Sequence, residues 1–117
     1  IISLTNSSII WIEYKSLSKS QYYQKIINNL LTIISTKNLI LNKKLHILSK
    51  RTTREKILEY LSIQKKLLSK DNNFEINLNR NEMADYLALD RSNLSRELGK
   101  LKKEGIIDFE KNKFKLL

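Results

Sequence analysis

The sequence predicts a mainly helical α+β fold: a long helix, then a module of three shorter helices closed by a β-hairpin, with a short β segment at the N-terminal end. Three observations carry this. Residues 20 to 50 keep a helical period with no Gly or Pro to interrupt it. Thr52 and Asn79 each stand three residues before a Glu, the pattern of a helix start whose cap is reciprocated. Ile107 with Phe109, and Phe114 with Leu116, alternate on either side of Lys111-Asn112, as two strands do around a tight turn.

At 117 residues the chain has room for one domain, or for a small domain with an appended element. Its 22 Lys and Arg against 12 Asp and Glu give a formal charge of +10, so an anionic partner is expected: nucleic acid, an anionic membrane surface or an acidic substrate. Ile, Lys and Asn abound while Pro and Val are absent, so part of that charge belongs to a general compositional bias. With 41% hydrophobic residues the chain supports a packed core and is not disordered throughout. The absence of Cys excludes disulfides, thiolate nucleophiles, iron-sulfur clusters and the usual zinc sites from this stretch, and fits a reducing compartment. No apolar run approaches the ~20 residues that span a bilayer and no signal-sequence pattern is present, so a soluble cytoplasmic protein without membrane association is expected. Because the chain opens at Ile1 on strand-like residues, it reads as a fragment of a longer protein.

Residues 1 to 15 read as two short strands, Ile1 to Leu4 and Ile9 to Ile12, around the turn cluster Thr5-Asn6-Ser7-Ser8. Such a hairpin is marginal alone, which points to the end of a larger β domain. The stretch 16 to 50 is read as a long helix. Along it Ile27, Leu31, Ile34, Asn38, Leu41, Leu45 and Leu48 recur at alternating steps of four and three, the seam spacing of a coiled coil. A second stripe, Ile26, Leu30, Ile33, Ile40 and Ile47, lies beside the first. Two apolar stripes on a helix of roughly 45 Å are hard to cover within so short a chain, and dimerisation through this helix is the economical answer. The other reading is a central helix buried by its own domain. Asn38 in the seam either sets the register of the dimer or marks where the coil opens.

Residues 51 to 117 carry dense local signals. Thr52 and Glu55 start a helix over about Thr53 to Leu68, with Ile57, Leu58 and Leu61 on one face. Phe74, Ile76 and Leu78 alternate with polar residues in a short strand. Asn79 caps the next helix, with Met83, Ala84 and Leu87 inward. Asp90 is expected to cap a third, in which Leu94, Leu98 and Leu101 are buried while Arg91, Ser92, Ser95, Arg96 and Gly99 share the opposite face. Gly105 ends it and the hairpin follows.

Two short helices joined by a tight connection and followed by a Lys-bearing hairpin make a winged helix-turn-helix. Its second helix is the candidate reader of a DNA major groove, because a helix fits that groove and Arg offers two parallel donors matched to guanine O6 and N7. Arg91, Ser92, Ser95 and Arg96 are the expected base contacts; Asn79, Arg80, Lys111 and Lys113 are the expected contacts to the DNA backbone. The plainer alternative is a solvated helix face, which the surrounding caps, breaks and hairpin disfavour.

The runs Asn79-Arg80-Asn81-Glu82-Met83-Ala84-Asp85-Tyr86-Leu87, Ala88-Leu89-Asp90-Arg91-Ser92-Asn93-Leu94-Ser95-Arg96-Glu97-Leu98 and Lys103-Glu104-Gly105-Ile106-Ile107 resemble the C-terminal domain of Crp/Fnr-family transcription regulators. Thr53 to Leu61 looks like the first helix of that domain, residues 20 to 50 like the family's dimer helix, and Ile1 to Tyr14 like the last strands of its cyclic-nucleotide-binding-like β-roll. The resemblance implies a homodimer on double-stranded DNA, with recognition helices in successive major grooves under control of an N-terminal sensor, and RNA polymerase as a further partner to consider. It also implies base reading by Arg91 and Arg96, whereas Ser92 stands where many members have Glu, so the operator familiar from the cyclic-AMP-binding members is not expected. Ala88 occupies a turn position where Gly is common, and a turn without positive φ is expected there.

An enzyme is not expected: His46 is the only histidine and no Gly-rich phosphate loop or paired-carboxylate motif stands out. Neither a metal nor a cofactor is assigned to this segment, and the effector of the sensor is left unnamed. His46 is expected on the surface of the long helix. The alternative function is a winged-helix protein-interaction module without specific DNA readout, whose mark would be an apolar or acidic recognition face.

Overall fold

The computed structural model describes residues 2, 5–68 and 71–117. In chain order the elements are α1 (Tyr14–Ser18), α2 (Tyr23–Leu48), α3 (Thr53–Leu68), β1 (Asn73–Glu75), α4 (Arg80–Leu87), α5 (Arg91–Lys103), β2 (Ile107–Glu110) and β3 (Lys113–Leu116). By packing the chain divides into two units, Ile1–Ile40 and Leu41–Leu117, and the division falls inside α2.

In the first unit the strands expected over residues 1 to 15 do not form among the described residues. Ile2 and residues 5–13 are neither helix nor strand, and α1 begins at Tyr14. Ile1, Ser3 and Leu4 of the first expected strand lie outside the described residues. Ile9, Ile10, Trp11 and Ile12 are exposed. An apolar run is held as a strand only by a neighbour that takes up its backbone hydrogen bonds, and among the described residues these pair with no strand. The long helix also starts later than residue 16. The chain turns at Lys19 to Tyr22, and the Ser20 hydroxyl accepts the Tyr22 N–H at 3.2 Å where α2 begins. Along α2 in this unit, Leu31 and Ile34 of the seam and Leu30, Ile33 and Ile40 of the second stripe are exposed.

In the second unit the last turns of α2 divide their apolar residues. Leu41 and Leu45 are exposed, whereas Ile47 is 1% exposed and belongs to the core. That core is built from Ile57, Tyr60 and Leu61 of α3, Met83, Ala84 and Leu87 of α4, Leu94, Leu98 and Leu101 of α5, and Phe74, Ile76, Ile107 and Phe114 of the sheet region. Each of the Leu, Ile, Met and Phe side chains contributes on the order of 1.5–3 kcal/mol by leaving water. β3 lies between β1 and β2, antiparallel to both, with Phe114 opposite Phe74 on one side and Phe109 on the other. Cross-strand Phe stacking thus ties the hairpin to the strand before α4.

The helix starts follow the expected chemistry with one exception. The Thr52 hydroxyl accepts the Glu55 N–H at 3.1 Å while Glu55 Oε2 accepts the Thr52 N–H at 3.2 Å. At α4 Asn79 Oδ1 accepts from the N–H groups of Asn81 and Glu82, and the Glu82 carboxylate accepts the Asn79 N–H at 2.8 Å. At α5 Asp90 holds the cap position in extended backbone and its carbonyl accepts the Leu94 N–H at 2.9 Å, but its side chain makes no cap bond. Its carboxylate still lies at the positive end of the helix dipole.

Candidate nucleic-acid interface

The connection between α4 and α5 corrects the expectation for Ala88, which adopts φ 50° and ψ 56°, the left-handed region. Two hydrogen bonds close the turn around it: Ala88 N–H to the Asp85 carbonyl at 3.2 Å and Leu89 N–H to the Ala84 carbonyl at 3.0 Å. This is a Schellman motif, and it holds an alanine where glycine is the usual occupant. The end of α5 repeats it with Gly105 at φ 71°, where Gly105 N–H meets the Lys102 carbonyl and Ile106 N–H the Leu101 carbonyl. The first motif ends α4 and leads within three residues into α5; the second launches the hairpin.

Once Leu94, Leu98 and Leu101 are buried, the helical period leaves Arg91, Ser92, Ser95 and Arg96 exposed together on the other side of α5. Arg96 is held from within its own helix. Asn93 Oδ1 accepts from Arg96 Nη2 at 3.3 Å, and Asn93 Nδ2 donates to the Thr53 hydroxyl at 3.2 Å. The face is therefore anchored to the start of α3. A second tie between these helices is the fork of Arg54 on the Glu104 carboxylate, with Glu97 3.8 Å from the same guanidinium. The Arg54 hydrogen bonds hold the Glu104 carboxyl below its ordinary value and raise Arg54 in turn.

The hairpin closes on Glu110 and Lys113 across the two-residue tip Lys111-Asn112, with Lys111 at φ 50°. Lys111, Lys113 and Lys115 are exposed, but Lys113 lies in register between Glu75 of β1 and Glu110 of β2. Two carboxylates on the same face of the sheet thus flank its charge, a feature that neither the sequence spacing of the lysines nor their number reveals. Lys102 of α5 sits over the Phe109 ring at 5.2 Å and pairs with Asp108 at 2.6 Å. That pairing and the Phe109 N–H hold the Asp108 carboxyl below the usual range.

Of the expected backbone contacts, Asn79, Arg80 and Lys111 meet Arg91 around one shallow groove, together with Asn81 and Asn112. Arg80 is drawn into the fold. Its Nη2 donates to the Lys111 carbonyl at 2.6 Å, and its guanidinium stacks at 5.0 and 5.2 Å over Phe114 and Phe109. Lys113 is on the sheet and Ser92, Ser95 and Arg96 are on the exposed face of α5. His46 is exposed as expected and stands 3.5 Å from Glu59. Among the described residues no cluster of His, Asp or Glu could hold a metal ion, and no helix is long and apolar enough to cross a membrane.

Fold and face together define a winged helix-turn-helix protein with a basic, polar second helix. A profile of the Crp-like helix-turn-helix domain matches residues 55–117, and the chain belongs to this family, the C-terminal helix-turn-helix region of Crp/Fnr-type transcription regulators. It is 38% identical over 72 residues to the transcriptional activator protein FnrL of Cereibacter sphaeroides, a match covering 55% of this chain and 29% of that protein. The structure of FixK2 from Bradyrhizobium japonicum superposes with a TM-score of 0.70 at 20% identity, covering 90% of this chain and 54% of that one. The chain therefore spans about a third to a half of the length of these relatives.

Proposed function

We propose that the chain is the DNA-reading part of a sequence-specific transcription regulator that acts as a homodimer on a two-fold symmetric operator under the control of an N-terminal sensor. The observation that carries this is the exposed set Arg91, Ser92, Ser95 and Arg96 on a helix whose other side is fully buried. Arg96 and Arg91 are the bidentate donors to guanine, and Ser92 and Ser95 the hydroxyl contacts. Asn79, Lys111 and Lys113 meet phosphates and fix the register of the helix in the groove. With Ser in place of a carboxylate at 92, acceptance from cytosine N4 is weakened, and the preferred half-site differs accordingly.

Dimerisation rests on the exposed seam of α2: Ile27, Leu31, Ile34, Asn38, Leu41, Leu45 and Leu48, of which Leu31, Ile34, Leu41 and Leu45 are more than half exposed in the single chain. Both relatives extend well beyond the region matched here, which leaves room for a sensor, and residues 1–15 are read as the end of its β-roll. A cytoplasmic setting and contact with RNA polymerase belong to the same reading. A protein-interaction module is the competing reading, and the two Arg and two Ser on the α5 face disfavour it.

Selection from random duplexes tests the proposal. It should return an inverted repeat whose half-sites lie about one helical turn, roughly 34 Å, apart. Recovery of only non-specific or single-stranded sequences overturns it.

A further inference from the structure

We infer that Arg80 is a positioning residue for the wing: it clamps the hairpin tip from the start of α4, so that the Lys111 side chain is delivered toward DNA in a fixed direction. The inference rests on the DNA-binding reading above. Three interactions converge on one guanidinium. Nη2 donates to the carbonyl of Lys111 itself, 31 residues away in sequence, and the planar group covers the rings of Phe109 and Phe114, one from each strand of the hairpin. Nη1 is enclosed without a hydrogen-bond partner among the described residues. Burial pushes the guanidinium below its usual range, as expected for a cation taken out of water.

A group so placed is poorly suited to grip a phosphate. It lies over two rings, one terminal nitrogen is enclosed and the other donates to a carbonyl. It is well suited to hold a turn. Lys111 at φ 50° is in a region that residues with a Cβ enter at a cost, and a charge-assisted bond to its carbonyl helps retain it there. Lys102 donates to the Phe109 carbonyl at 3.0 Å, so the hairpin is gripped from both α4 and α5. The wing is thereby fixed relative to α5, the helix that would enter the groove, and to α4 before it.

Arginine is required for this and lysine is not its equivalent. A compact ammonium cannot lie flat on two rings and reach the carbonyl at once, yet it would serve a phosphate as a point charge. Arg80→Lys therefore separates the two roles. Lys111→Asn removes the tip charge while keeping a residue that tolerates positive φ. Phe109→Leu removes one ring of the clamp and leaves every cation in place.

The experiment uses the 117-residue chain and these variants, with two readouts. In free protein, NMR order parameters at Lys111 and Asn112 should fall from about 0.85 toward about 0.6 in Arg80→Lys and in Phe109→Leu, while those of α3 stay unchanged and report an intact fold. In duplex binding over a salt series, Arg80→Lys should weaken all sequences by nearly the same factor as Lys111→Asn. The double variant should bind no more weakly than Lys111→Asn alone, and the salt slope should fall by ~0.9 for each phosphate that is no longer neutralised. An unchanged tip in Arg80→Lys overturns the proposal, and so do additive losses in the double variant. If the wild-type chain binds no duplex at all, the DNA reading fails and takes the wing's role in binding with it, while the order parameters still decide whether Arg80 fixes the tip.

Discussion

Asn93 orients Arg96: the carboxamide oxygen accepts from the guanidinium at 3.3 Å while its nitrogen is tied to the Thr53 hydroxyl at 3.2 Å. An exposed arginine otherwise samples many rotamers, and ordering it on binding costs on the order of 1 kcal/mol. One turn of α5 thus carries both the proposed reading group and the group that aims it.

Arg96→Ala should cost about 1–3 kcal/mol on the preferred site and flatten discrimination at one base pair of each half-site, since the bidentate hydrogen bonding to guanine is removed. Asn93→Ala should erode discrimination at that same base pair by a smaller amount, because the guanidinium remains but is no longer aimed. Titrations against the selected site and its single-base mismatches check both. Should Arg96→Ala lower affinity uniformly and leave the mismatch profile intact, Arg96 holds a phosphate and Arg91 becomes the base reader.

The features legible in the sequence are those whose physics closes within one or two helical turns. The capping pairs Thr52 with Glu55 and Asn79 with Glu82 bond across three residues, and the spacing of Leu94, Leu98 and Leu101 is enough to expose Arg91, Ser92, Ser95 and Arg96 by subtraction. Interactions between distant residues are not legible in this way. By its residue type Arg80 is one more phosphate-facing cation, and only the folded hairpin 31 residues on brings a carbonyl and two rings to it. Ile9 to Ile12 has the composition of a strand, but composition does not supply the neighbour that a strand needs. Asp90 has the residue type of a cap and uses only its backbone.

Charge placed in the α2 seam should separate the dimer. Leu41 is 60% exposed in the single chain, so Leu41→Glu disturbs little of the chain's own packing and puts a carboxylate where a partner helix would bury it. Sedimentation at about tens of micromolar should give a dimeric mass for the wild type and a monomeric mass for the variant. Equal monomeric masses for the two would remove the seam from the account.

The two Schellman turns predict opposite effects of exchanging Ala and Gly. Ala88 holds φ 50° with a Cβ, so Ala88→Gly should stabilise the fold by about 1 kcal/mol through relief of left-handed strain, despite the greater freedom of glycine when unfolded. At Gly105, φ 71°, an added Cβ meets nothing within 4 Å, so Gly105→Ala should destabilise by a comparable amount, through the backbone alone. Chemical denaturation of the two variants beside the wild type reads both. Shifts of the same sign would mean that packing, not φ, governs these turns.

Acid should loosen the tie between α3 and α5 before it reaches the wing. Arg54 hydrogen-bonds the Glu104 carboxylate through both terminal nitrogens, and this bonding holds the carboxyl below its ordinary value of 4.5 against the opposing effect of desolvation, with the charges of Arg54 and Lys100 adding less. A carboxyl with a depressed folded pKa binds fewer protons in the native chain than in the unfolded one. Its contribution is therefore complete above pH 4.5 and is lost as the pH falls from there through the folded value. Asp108, depressed by the Lys102 hydrogen bond, the Phe109 N–H and the Lys102 charge, follows the same rule from an ordinary value of 3.8, so its loss begins at lower pH. Both pairs are exposed, and added salt should shrink their contributions. Thermal melts of the wild type and Glu104→Gln from about pH 6 to about pH 3 test this, because the glutamine cannot titrate. The wild type should melt higher above pH 4.5, and the gap should close as the carboxyl takes up its proton. A gap that stays constant across that range would mean that the Arg54 fork adds nothing to the stability of the fold.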